Sequence, residues 1–207
     1  MKTILVVNPK GGCGKSTLST NLASYYALWK LPVALIAYDP QRSSLEWLAQ
    51  RDRSLGAIQG IDASVARREP SVSAGIQRLV MDVPARIERP QLRRLFKFAD
   101  CVVIPVLPSP IDIRAAGHFI ADLMLHGMLK QSRVGLVANR VRENTVIYHN
   151  LERFLGKMRI PLITHFRDTQ NYIHAADSGV GVFEMPPYRV MKEIDQWRPL
   201  IHWIEKG

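Results

Sequence analysis

The residues with the plainest chemistry are Lys10-Gly11-Gly12-Cys13-Gly14-Lys15-Ser16-Thr17. Glycines let backbone N–H groups converge on an anion without Cβ hindrance. A helix opening at the same point aims its positive dipole end at that anion. Lys15 is long enough to reach the terminal phosphates of a nucleotide, and the Ser16 hydroxyl can ligate Mg²⁺. The expected ligands are therefore ATP and Mg²⁺, with Gly11, Gly12, Cys13, Gly14, Lys15, Ser16 and Thr17 holding the nucleotide. Phosphoryl transfer needs positioning and charge neutralisation more than covalent chemistry, so acidic residues that support the metal are sought next. Asp82 closes the run Gln77-Arg78-Leu79-Val80-Met81 and suits Mg²⁺ or its waters; Asp39, in Asp39-Pro40-Gln41, is the second candidate on the metal side.

These residues need a scaffold that brings them together. Ile4-Leu5-Val6-Val7 predicts a strand feeding the glycine loop, and Leu18, Leu22, Tyr25 or Tyr26, and Trp29 predict a helix over 17–29. Val33–Ala37 and Cys101–Val106 are apolar without alternation, the pattern of strands buried on both faces. Further strands are expected at 58–65, 76–81, 133–138 and 160–164, and helices at 91–98, 112–130, 145–158, 169–177 and 188–205. Ser43-Ser44-Leu45-Glu46 reads as a capping box opening a short helix to about Arg51, Arg67-Arg68-Glu69-Pro70 as a loop, and Pro199 as an interruption of the last helix. The alternation predicts one α/β domain over 1–207, a mostly parallel twisted sheet with helices on both faces. Ligands of such sheets sit beyond the carboxyl ends of the strands, where the loop, Asp39, Asp82 and Asn139 are all expected.

The common phosphate-loop pattern has glycine six residues before Lys15, where this chain has Pro9; a second lysine, Lys10, opens the loop instead. That KGGxGK[ST] form resembles the deviant Walker A box of the ParA/MinD ATPases, which implies a P-loop NTPase fold. Val103-Ile104-Pro105-Val106-Leu107-Pro108-Ser109-Pro110-Ile111-Asp112 is similar to a segment of the small ParA proteins of plasmid partition, of which ParF is one. The resemblance implies that Lys10 crosses a dimer interface to the partner's nucleotide, giving cationic stabilisation in trans, with Lys15 and Asp39 completing the catalytic set. Asp39 would orient the attacking water. The family motif is DxDPQ; here Ala37 replaces the first aspartate, and Arg42 stands where glycine is common. Asn139 either contacts adenine or simply turns the chain, and Arg167, within His165-Phe166-Arg167, either binds DNA without sequence preference or is a solvated surface arginine. Arg153, Lys157, Arg159, Arg189 and Lys192 would widen such a patch.

The formal net charge of +10 suggests an anionic partner, nucleic acid or an acidic membrane. The resemblance makes that partner nucleoid double-stranded DNA, bound nonspecifically by an ATP-bound homodimer that a cargo-bound ParB-like adaptor releases by stimulating hydrolysis. A MinD-like membrane switch is the alternative; the last helix mixes Glu193, Asp195 and Glu205 with its cations, so a membrane partner is not expected. A metabolic P-loop ligase is the third reading, against which Lys10 and the partition-like segment argue. Strand residues begin almost at Met1 and leave no room for a signal peptide, and Cys13 and Cys101 are too few for a disulfide scaffold, which together predict a cytoplasmic, nucleoid-associated protein.

Overall fold

The computed structural model describes residues 1–65, 70–142, 145–158 and 160–206. The loop expected at Arg67-Arg68-Glu69 and the patch residue Arg159 lie outside them. The chain alternates β1 (Lys2–Val6), α1 (Lys15–Leu28), β2 (Val33–Ala37), α2 (Ser43–Ala49), β3 (Ile58–Asp62), β4 (Arg78–Asp82), α3 (Arg89–Phe98), β5 (Cys101–Val106), α4 (Pro110–Leu125), β6 (Arg133–Val141), α5 (Val146–Leu155), β7 (Leu162–Arg167), α6 (Asn171–Asp177) and α7 (Pro187–Glu205). The strands form one seven-stranded sheet in the order β3-β2-β4-β1-β5-β6-β7, and every pairing is parallel. This is the α/β P-loop NTPase architecture.

The pleat sends successive side chains to opposite faces, and two cores result. Leu5, Ile36, Met81, Ile104 and Leu136 meet α3, α4 and α5 on one face. Ile4, Val6, Leu35, Val80 and Val103 meet α1, α2, α6 and α7 on the other. Continuing the alternation one to three residues past these positions puts Ala37, Asp82 and Asn139 on the α1 face, toward the glycine loop. The fold thereby decides which strand-end residues can reach the phosphates.

Four expectations are corrected. Ser43 is the first helical residue of α2, not its cap; the cap is Arg42, in left-handed conformation with φ of 52°, and no side chain caps the helix. A glycine would adopt that conformation without strain, which accounts for glycine being common there. The segment expected at 112–130 splits into α4 and a 3₁₀ turn at Met128–Lys130. Asn139 does not end a strand but lies inside β6, which runs on to Val141 through a register shift. Pro199 does not interrupt α7. Interior proline costs a helix about 3 kcal/mol, but Trp197, Leu200 and Ile204 beside it are fully buried on the sheet, and that packing carries the helix through.

The far end of α7 is fastened from below the sheet. Lys2 Nζ donates to the carbonyls of Ile204 (2.9 Å) and Glu205 (3.0 Å), and Arg133 donates to that of Trp203. These are carbonyls the helix leaves without partners, and cations are the favourable donors at that end. Burial opposes the Glu205 charge, but Arg78 and the Tyr26 hydroxyl (2.8 Å) outweigh it and hold the carboxyl below its usual range.

A buried ion pair ties the segment after α2 to a 3₁₀ turn at Val182–Glu184. Arg51 and Glu184, with side chains only 4% and 2% exposed, form a two-pronged pair, and Arg51 also donates to the Gly179 carbonyl at 3.3 Å. The Arg51→Leu variant leaves Glu184 buried without its cation, a loss of about 3–5 kcal/mol. Its melting temperature is expected to fall by on the order of 10 °C in a thermal scan at neutral pH. An unchanged midpoint would contradict this account of the pair.

Candidate nucleotide site

The chain leaves β1 into Asn8, which is buried and ties both sides of the turn. Its side-chain amide donates to the Pro105 carbonyl (2.5 Å), and its oxygen accepts from the Lys10 amide (2.9 Å). Gly12 and Gly14 then take φ of 75° and 92°, conformations that L side chains rarely adopt. Gly14 caps α1, whose first internal bond is Leu18 N–H to the Gly14 carbonyl at 2.9 Å. The amides of Lys15, Ser16 and Thr17 precede that bond and have no intrahelical acceptor, so they are the donors an anion would meet. Asn139 buttresses the loop from β6: its amide donates to the Cys13 carbonyl at 2.8 Å. A Cβ on Gly14 would stand 2.2 Å from the Asn139 amide nitrogen, so glycine is required there twice over.

The loop floors an open cavity of about 620 Å³. Gly11, Gly12, Gly14, Lys15, Ser16 and Thr17 form one wall, Asp39, Pro40 and Gln41 a second, and Pro84, Ala85, Arg86 and Arg140 complete it. Lys15 is 7% exposed, and its ammonium group donates to the Lys10 carbonyl at 3.0 Å. Lys10 is not among the residues that line this cavity. Cys13 is fully buried, and its thiol points to the Lys10 carbonyl at 3.3 Å. Burial raises its pKa, and the nearby Lys15 charge only partly opposes this, so Cys13 is a space-filling residue and not an activated thiol.

Asp82 is 1% exposed, and both its carboxylate oxygens lack a hydrogen-bond partner. Burial pushes its pKa up; Ser16, Ser44 and Lys15 pull the other way, and Asp39 adds to the rise. The Ser16 and Ser44 hydroxyls are thus close enough to favour the charged form without closing a bond within ordinary hydrogen-bonding distance. A buried, unpaired carboxylate beside the first serine of a phosphate loop fits Mg²⁺, whose waters need such acceptors. Ala37 sits in register with Asp82 and is fully buried. A carboxylate at 37 would bury a second like charge beside the first. Asp39 is held by the turn it starts, accepting from the Gln41 amide at 2.9 Å.

A second cavity of about 280 Å³ adjoins the first, sharing Thr17 and Arg140, and extends past Asn139 to Asp168, Tyr172 and Ile173. Its position beyond the loop suits a base or ribose. Arg140 stands between the two cavities with φ of 52°, a strained conformation for arginine. Arg167 lines the far cavity too, but its guanidinium is engaged: Nε donates to Glu193 at 2.7 Å, and Glu193 is 0% exposed. Pulling Arg167 away would leave a buried anion supported, among the described residues, only by the Asn171 amide at 3.2 Å, at a cost of order 3 kcal/mol. Asn8, Ser44, Arg86 and Arg140 are site residues that spacing alone does not single out. The signal for Asn8 was present, since an asparagine ending a buried strand must find partners.

The CobQ/CobB/MinD/ParA nucleotide binding domain family matches residues 4–182. The maintenance of carboxysome distribution protein A of Halothiobacillus neapolitanus is 26% identical over 191 residues, 88% of this chain and 87% of its own. The protein of that name from Gloeobacter kilaueensis is 32% identical over 113 residues, 54% of this chain and 52% of its own. Among solved structures, an ATP complex of a Cyanothece McdA variant superposes with a TM-score of 0.70 at 17% identity, covering 97% of this chain and 96% of that one.

The raised pKa of Asp82 has a thermodynamic consequence. The folded state holds this proton more tightly than the unfolded chain, so the cost of the charge is absent below about pH 3.9 and complete once pH exceeds the folded value. Asp82→Asn removes the charge. The ligand-free variant is expected to melt about 2–4 °C above the parent at pH 7.5, with the gap closing toward pH 4. It should also lose the further stabilisation that the parent gains from Mg²⁺ with ATP, read by the same melting scans. A variant less stable than the parent at pH 7.5 would contradict the unpaired-carboxylate account.

Proposed function

The chain belongs to the CobQ/CobB/MinD/ParA nucleotide-binding family, and on that premise we propose that this P-loop ATPase is a switch that positions cargo. The observation that carries the reading is the division of labour between two lysines of one loop. Lys15 lies on the phosphate cavity of its own chain, whereas Lys10 lies off it. A lysine beside a loop but away from that loop's cavity is available to a site on a second copy, which supports this reading. In the proposed cycle, two copies close face to face over two ATP molecules. Each Lys10 enters the partner's cavity and offsets charge that develops on the transferred phosphoryl group. Asp39 at the cavity wall orients the attacking water, and Asp82 with Ser16 would hold Mg²⁺, which neutralises the phosphates when bound. The second cavity takes the base, with Asn139 both bracing the loop and lining the pocket.

The ATP-bound dimer is proposed to bind double-stranded DNA nonspecifically, in keeping with a net charge of +10, and to let go when a cargo-bound ParB-like adaptor stimulates hydrolysis. Two relatives named for carboxysome distribution favour a protein assembly as cargo; the partition-like Val103–Asp112 segment keeps a plasmid as the alternative. A MinD-like membrane switch is not favoured. Helix α7, the segment that would serve as a surface anchor, is bonded at its far end to Lys2, Arg78 and Arg133.

Two measurements test the cycle. Duplex binding across several salt concentrations is expected with ATP and not with ADP or without nucleotide, and Lys15→Ala should abolish it. Equal binding in all three states would overturn the switch. Asp39→Ala is expected to bind ATP and dimerise like the parent but to hydrolyse about 10²-fold more slowly. Parent-like turnover in that variant would take Asp39 out of the reaction.

A further inference from the structure

If the DNA reading above holds, Arg167 is poorly placed to be the main contact. It is bound to Glu193, and Asp168 beside it is bonded to Arg142 at 3.2 Å, so this corner of the molecule carries paired charge. A second group of cations lies on helix α3. Helix α3 has the sequence Arg89-Pro90-Gln91-Leu92-Arg93-Arg94-Leu95-Phe96-Lys97-Phe98 and contains no acidic residue. Leu92, Leu95 and Phe96 bury one side of it against the sheet, which turns Arg93, Arg94 and Lys97 to solvent. Arg93 and Lys97 are one turn apart on the same stripe, at about 6 Å rise, and have no ion pair among the described residues. At the head of the stripe Arg89 pairs with Asp122 at 3.0 Å, which leaves the rest of the row uncompensated. A shallow groove of about 380 Å³ runs along these cations to His126 and Met128.

We infer that the solvent face of α3 is the surface on which this protein lays the phosphate backbone of duplex DNA. Charge complementarity selects the occupant: Arg93 and Lys97, one turn apart on an exposed face and without an ion pair among the described residues, match a polymer of regularly spaced phosphates, and lysine and arginine side chains can follow it in any sequence. The connection to nucleotide is short. Pro84, Ala85 and Arg86 line the phosphate cavity, and α3 begins three residues later, at Arg89. A change in the segment after Asp82 is therefore passed straight to the helix that carries the cations.

The test uses the full chain with Mg²⁺ and ATP and a fluorescent 40-base-pair duplex, followed by anisotropy between about 50 and 200 mM KCl. Arg93→Glu with Lys97→Glu is expected to weaken binding at least tenfold. Its log–log salt slope should be shallower than the parent's by about two, one for each lost phosphate contact. DNA-free ATP turnover and dimer formation by sedimentation should match the parent, and Arg93→Lys with Lys97→Arg should bind as the parent does. Parent-like affinity and slope in the double glutamate variant overturn the α3 surface while leaving the DNA-binding reading intact. Loss of binding in Arg167→Ala with an unchanged melting temperature overturns it as well. Absence of duplex binding by the parent itself, in every nucleotide state, removes the DNA reading and this inference together.

Discussion

The centre of this molecule is a carboxylate that the fold buries without giving it a partner. Asp82 ends β4, an interior strand of the parallel sheet, and neither of its oxygens is bonded. An arrangement of that kind is tolerated only if the surrounding structure holds it firmly. Strands β1 and β2 flank β4 in register, with Val6 on one side and Ala37 on the other. The alternation of the pleat turns Asp82 toward α1, Ser16 and Ser44, so that the unmet need for a cation opens onto the glycine loop. Everything else at the site serves the same geometry. Asn8 and Asn139 brace the loop from its two flanks, and Lys15 folds across it.

Much of this was legible in the sequence because it rests on local chemistry. Strands β2 and β5 read directly as uninterrupted apolar runs, and the glycine loop announces the strand before it and the helix after it. Asp39 and Asp82 were legible as strand-end acids. What escaped was set by tertiary contact. Pro199 breaks a helix on propensity, yet its neighbours are buried deeply enough to carry α7 past it. Arg42 reads as an odd residue in a helix start; only the backbone shows that it caps the helix with a left-handed turn. Arg167 reads as a surface cation because its partner, Glu193, is far along the chain and appears polar and exposed in a helical pattern. The pairing of a half-buried arginine with a fully buried glutamate has no signature in either segment alone.

The layers also divide the molecule by task. On the α1 face lie the nucleotide residues, the buried Arg51–Glu184 pair and α7 with its fastened end. The opposite face carries the basic helix α3, whose inner side is held by Leu92, Leu95 and Phe96. The segment after Asp82 is a covalent route between the two, since it leaves the α1 face at the cavity and enters α3 on the other. A sheet this extensively paired is stiff, so a signal crossing it is better carried around the strand ends than through them.

The contact between Gly14 and Asn139 links distant parts of the chain. A side chain at position 14 would meet the amide that steadies Cys13. Because Gly14 also sits at φ of 92°, shortening Asn139 would not by itself admit a side chain at position 14. A phosphate loop transplanted from this protein into a related sheet would have to bring its asparagine with it.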